Sequence, residues 1–115
     1  MKANFNIAFL PQAEEFIDRL NDKAREKVLY NIKKSQFVRD EELLKKLNEL
    51  IWEFRTMQNG NTYRLFAFWD KSNGKETLVI ATHGIIKKKQ KTPTNEIRKA
   101  EGIRIAYLKN RDKTK

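Results

Sequence analysis

Residues 50–86 read LIWEFRTMQNGNTYRLFAFWDKSNGKETLVIATHGII, and this stretch sets the fold. From Leu50 the apolar positions recur every second residue, so Leu50, Trp52 and Phe54 share one face of an extended chain while Glu53 and Arg55 take the other. Asn59-Gly60 reads as a tight hairpin turn, because both residues tolerate the positive φ that such turns need. A second, aromatic-rich strand runs from Tyr63 to Trp69, and Asn73-Gly74 marks the next reversal. Thr77 to Ile86 is almost wholly apolar, the pattern of a central strand buried on both faces. The stretch is therefore a three-stranded antiparallel meander.

Working outward, Phe5, Ile7 and Phe9 alternate with smaller or polar neighbours, which predicts a short strand ending at Pro11, a residue suited to the first turn of a helix. Ala13, Phe16, Ile17 and Leu20 fall at helical spacing, and Asp22 is placed to cap a second helix carrying Ala24, Val28, Leu29 and Ile32. Asp40, with Glu41 and Glu42 ahead of Leu43, Leu44 and Leu47, predicts a small third helix. Past the meander, KKKQK leads to Thr92-Pro93, with Pro at the first helical position, and Ile97, Ala100, Ile103 and Tyr107 recur at helical spacing. Gly102 weakens that last helix by about 1 kcal/mol relative to Ala. The order β-α-α-β-β-β-α describes an α+β domain with its helices packed on one face of a small, twisted antiparallel sheet. The other face, or one end of it, is left for function. The domain is expected to span residues 1–108, with 109–115 as a basic C-terminal tail.

The chain has 115 residues, with 25 Lys and Arg against 15 Asp and Glu and one His, a formal charge of +10. Seven Phe, three Tyr and two Trp among 39% hydrophobic residues supply a core, so the charge does not signal disorder. The absence of Cys excludes a disulfide scaffold, a thiolate metal site and a Cys nucleophile. No apolar run approaches the roughly 18 residues of a membrane span, and the N-terminal residues lack a signal-type apolar region. A soluble, cytoplasmic protein with no membrane partner is expected. The charge is unevenly placed: residues 1–46 carry 10 basic and 8 acidic side chains, 47–82 carry 4 of each, and 83–115 carry 11 against 3. Such a concentrated basic region is the footprint of a phosphate-backbone partner.

Alternation turns Arg55 away from Trp52 and Phe54, and Arg64 lies just past the Asn-Gly turn on the strand that must pair with it. Two guanidinium groups thus converge. His83 ends the third strand, Gly84 beside it permits close approach of a backbone or ligand, and Lys87, Lys88, Lys89 and Lys91 follow at once. Each has a plainer role available: Arg55 paired with Glu53, Arg64 stacked on a neighbouring ring, His83 structural, the lysines a solvated loop. No cluster has metal-ligand spacing, no glycine-rich phosphate loop exists, and neither Ser35 nor Ser72 lies in a nucleophile elbow, so neither metal nor cofactor is implied. A cationic site best serves a reaction whose transition state gains negative charge on phosphate. RNA brings its own nucleophile, the 2′-hydroxyl, so its cleavage needs only in-line positioning, a proton acceptor, charge stabilisation and a proton donor to the 5′-oxygen.

LIWEFR (50–55), NTYRLFAFW (61–69) and TLVIATHGIIKKKQKTP (77–93), followed by a helix, together resemble the RelE/HigB superfamily of bacterial toxins in its phage-derived branch. The resemblance spans residues 43–108, and HGIIKKKQKTP is its most specific part. It implies a RelE-like fold and the toxin of a type II toxin-antitoxin pair, an endoribonuclease acting on mRNA on the ribosome. It also implies an antitoxin with a helix-turn-helix domain, which would neutralise the toxin and be its only route to operator DNA. By position, Arg55 and Arg64 would stabilise the scissile phosphate, His83 would transfer a proton, and Lys87 would complete the catalytic set. Lys88, Lys89, Lys91, Arg98 and Arg104 would hold the RNA. Some relatives carry a basic residue where Glu53 stands, so either Glu53 acts as a base or this site is less cationic than theirs. Tyr107 is the counterpart of a C-terminal Tyr in some ribosome-dependent relatives. Two other readings compete: a gyrase-poisoning toxin of the same superfamily, and a non-catalytic basic RNA-binding module.

Overall fold

The computed structural model of the chain describes residues 3–71, 78–88 and 91–113. In order these form strand β1 (Asn6–Phe9), helices α1 (Pro11–Asp18) and α2 (Asp22–Ser35), strands β2 (Leu44–Lys46), β3 (Trp52–Gln58), β4 (Asn61–Asp70) and β5 (Leu78–Lys87), and helix α3 (Thr94–Lys113). They make the expected α+β fold around one sheet of strand order β1-β5-β4-β3-β2. The meander is present as read. Asn59 and Gly60 have φ of 51° and 76°, the positive pair of a tight hairpin, and Gln58 lies opposite Asn61. The Asn73-Gly74 turn and Ser72 lie outside the described residues.

Four details depart from the sequence reading. β1 pairs parallel with β5, Asn6 opposite Leu78 and Phe9 opposite Ala81, so the sheet is mixed rather than antiparallel. The helical hairpin supplies the crossover that a parallel neighbour requires. Second, Asn21 rather than Asp22 caps α2, its side-chain oxygen accepting the Ala24 N–H at 2.9 Å. Third, the small helix expected after Asp40 stops at a turn. Asp40 does cap it, taking the Glu42 N–H on its carboxylate at 2.9 Å, but the chain then extends as β2 and sets Leu44 opposite Phe54. A single apolar Leu gains more by joining the core than a one-turn helix gains from its cap.

The fourth departure decides where the site sits: α3 covers the second face of the sheet. Against α1 and α2 lie Phe54, Tyr63, Leu65 and Val79, while the opposite cluster contains Ile51, Phe66, Phe68, Ile80 and Ala100, with Ile97 and Tyr107 of α3 packed on it. In the β4 run YRLFAFW both alternating sets are apolar or aromatic except at Arg64, so each face needed its own cover. The far end of α3 is pinned by buried Asp70, which accepts from the Tyr107 hydroxyl at 2.9 Å and from Arg111 Nη1 at 2.8 Å. That anchor lets the helix run through Lys113, into the segment expected as a tail. No helix among the described residues is long and apolar enough to cross a membrane.

Candidate active site

The end of the sheet under the start of α3 gathers an unusual set of polar side chains for so small a core. Arg55 on β3 stands directly opposite Arg64 on β4, as the hairpin register requires. Glu53 comes between them, two positions earlier on the same face of β3. Its carboxylate receives Arg64 Nη1 at 3.2 Å on both oxygens and the Thr92 hydroxyl at 2.7 Å, while Arg55 Nε lies 3.3 Å away as an ion pair. Arg64 Nη1 also donates to Thr92 Oγ1 at 2.9 Å. Glu53 is fully buried and the Arg64 side chain is 1% exposed, whereas Arg55 keeps 20% of its side chain in solvent. Two like charges can face each other here because the buried carboxylate sits between them. Of the pair, Arg55 is the one that reaches outward.

A bulge brings His83 to the same face. Phe66 pairs with His83 and Ala67 with Ala81, so Thr82 is the extra residue on β5. Simple alternation from Val79 and Ala81 would send His83 toward α1 and α2; the inserted residue re-aims it beneath α3. Its ring stacks on Phe66 at 4.8 Å, Nδ1 meets Thr82 Oγ1 at 3.1 Å, and Nε2 meets Glu96 Oε1 at 3.1 Å. Burial pushes the imidazole below its ordinary pKa, partly opposed by the hydrogen bond to Glu96 and reinforced by the nearby Lys99 charge. A neutral ring fits these partners when Nε2–H donates to Glu96 and the Thr82 hydroxyl turns its one hydrogen to Nδ1 rather than to the Phe66 carbonyl oxygen 3.3 Å away. With both nitrogens engaged and 3% of its side chain exposed, His83 communicates with solvent through Glu96, which is 20% exposed.

Gly84 does answer a close approach, but by the protein itself: a Cβ there would collide with the Phe16 ring of α1. Lys87 lies opposite Thr62, two positions beyond the Ile85–Arg64 pair and thus on the same face, and it is exposed together with Lys88 and Lys91. Lys89 lies outside the described residues. Arg98 is exposed on α3, while Arg104 lines a cleft around Trp52 and Trp69 instead of joining this cluster. Sequence reading missed Thr92 and Glu96. They flank Pro93, whose carbonyl accepts the Glu96 N–H at 3.1 Å, so one helix start delivers both a hydroxyl to Glu53 and a carboxylate to His83.

The mixed five-stranded sheet and three helices make a small α+β protein whose fold is consistent with a RelE-like one. The family described as Phage derived protein Gp49-like (DUF891) matches residues 15–104, and the chain belongs to it. This is a RelE/HigB-type toxin family, which suggests a toxin-antitoxin toxin and implies an antitoxin partner. The matched span includes every residue of the cluster. No curated protein matches the sequence.

Proposed function

We propose that the protein is the toxin of a type II toxin-antitoxin pair and cleaves mRNA on the ribosome through attack by the RNA's own 2′-hydroxyl. The observation that carries this reading is the facing Arg55–Arg64 pair, tied by Glu53 and opening through Arg55 toward the exposed Lys87, Lys88 and Lys91. Glu96 accepts the 2′-hydroxyl proton, and the oxygen attacks phosphorus as the bond to the 5′-oxygen breaks. The products are a 2′,3′-cyclic phosphate and a 5′-hydroxyl, the latter protonated by an ammonium of the lysine run. Arg55 stabilises the charge gathering on the phosphorane. Arg64 acts as a positioning residue that fixes Glu53 and hence Arg55, and His83 positions Glu96.

Induction in bacterial cells followed by primer extension on translated mRNAs tests this. New 5′ ends inside coding sequence are expected, reduced about 10²–10³-fold by Arg55→Ala with the circular dichroism spectrum unchanged. Glu96→Gln should act in the same direction. Intact transcripts with unimpaired growth reject the toxin reading. Intact transcripts with a DNA-damage response would transfer it to a gyrase-directed toxin, and an antitoxin-free protein that binds RNA without product would leave only a binding module.

A further inference from the structure

A second cationic surface lies three positions back along β3 from Arg55, where Trp52 and Trp69 stand on the opposite face of the sheet and Arg104 borders them from α3. It is a cleft of about 900 Å³ whose walls include Trp52, Trp69, Arg39, Lys46, Lys71 and Arg104. The two tryptophans are the chain's whole complement. They pack edge to face at 5.6 Å and 85°, and Phe5 backs Trp69 in the same manner at 5.2 Å, so the aromatic wall is held rigid while both indoles stay partly exposed. Of the four cations, Lys46 is engaged with Glu49 at 3.5 Å; Arg39, Lys71 and Arg104 form no ion pair among the described residues. Cations with no ion pair among the described residues, set beside partly exposed indoles, make a surface suited to an anionic partner that carries a flat apolar group.

We infer that this cleft binds a short segment of single-stranded RNA, with a base stacked on the tryptophan wall and the phosphates running along Arg39, Lys71 and Arg104. The volume suits a nucleotide-sized group, and stacking with cations beside it is the chemistry by which unpaired nucleic acid is held without sequence readout. Duplex RNA hides its base faces and would meet only the charges. The edge strand β2 links the two surfaces. Lys45 lies opposite Glu53 and Lys46 opposite Trp52, so neighbouring lysines on one exposed edge point to the cluster face and the cleft face in turn. The inference concerns binding alone and does not depend on cleavage at the other face.

Intrinsic tryptophan fluorescence reads this cleft specifically, because both fluorophores line it. Titration of the full chain with short oligouridylate and oligoadenylate should give saturable quenching, weakened about tenfold by Arg39→Glu or Arg104→Glu. With three phosphates neutralised, the logarithm of affinity should fall with the logarithm of salt concentration with a slope of about −2. Arg55→Ala should leave the quenching unchanged, which separates this site from the proposed cleavage site. Equal quenching by inorganic polyphosphate or by duplex RNA would overturn base stacking in favour of a general polyanion surface. Absence of quenching, or indifference to both charge reversals, would overturn the site itself, as would a cleft that responds only to a bound antitoxin.

Discussion

Replacing Arg64 with Met tests whether the buried cluster is structural. Its guanidinium makes two 3.2 Å contacts to Glu53 and one of 2.9 Å to Thr92, inside a region where Glu53 has no solvent exposure at all. Arg64→Met keeps the aliphatic bulk but leaves the Glu53 carboxylate facing only the Thr92 hydroxyl and an off-axis Arg55. Breaking the buried Arg64–Glu53 pair, with Arg55 as the remaining cation at 3.3 Å, costs about 3–5 kcal/mol, a large share of the roughly 5–15 kcal/mol that holds a domain folded. At a denaturant slope of about 1.5 kcal/mol per molar, the urea midpoint should fall by about 2–3 M. The double variant Glu53→Leu with Arg64→Met removes both charges and should recover most of the loss, giving a coupling of at least about 2 kcal/mol in a double-mutant cycle. Far-UV circular dichroism across a urea series measures both. A midpoint shift under about 0.5 M for Arg64→Met, or additive effects in the double variant, would refute the reasoning and return Arg64 to the solvent-facing, substrate-contacting role.

Three further outcomes follow from the same packing. His83 is held below its ordinary pKa by burial, so between the unfolded value near 6.5 and its lower folded value the unfolded chain binds more protons, and stability must fall as pH falls through that window. Urea midpoints from pH 7 down to pH 5 should therefore decline more steeply for the wild type than for His83→Gln; parallel slopes would contradict this. Gly84→Ala should cost about 1–3 kcal/mol because its Cβ meets the Phe16 ring, and Phe16→Leu in the same chain should return part of that cost in thermal melts. Gly102 has open space around its Cβ position in α3, so Gly102→Ala should raise the melting temperature by about 2–5 °C, and an unchanged or lowered value would mean α3 does not limit stability.

The meander was legible because three signals agreed within 37 residues: alternation, an Asn-Gly pair with the required φ signs, and a largely apolar third strand. The helical hairpin was legible from its period. What sequence could not supply was anything that depends on who covers a face. Glu53 and Arg55 alternate with aromatic residues, and on a two-layer protein that pattern means solvent; here α3 converts the same face into a second core, and the polar residues on it become a buried network. The β2 strand was misread for a related reason. Asp40 and two glutamates favour a helical turn locally, and only pairing with β3, a contact distant along the chain, decides that the segment extends.

The candidate site was legible as residue types and illegible as roles. Arg55 and Arg64 carry the same charge at mirrored positions of one hairpin, so sequence treats them alike. Their surroundings differ: Arg64 hydrogen-bonds Glu53 and Thr92 and is buried, while Arg55 lies at the margin of that cover with a fifth of its side chain in solvent. The first turn of α3, just past Thr92, supplies Glu96 to His83, so the loop carrying the lysine run is tied at its far end to both halves of the cluster. A +10 charge therefore overstates the cations free to meet RNA, since Arg64 and Arg111 are taken up by buried acids. Among the charges that remain outward, two groups stand beside other polar or aromatic side chains: Arg55 with the lysines beyond β5, and the cations of the tryptophan cleft. Only the first adjoins a buried carboxylate and a histidine-backed one, and proton transfer needs such groups while simple binding does not. That asymmetry is why the proposed cleavage is placed at the cluster beneath α3 and the proposed RNA binding in the tryptophan cleft.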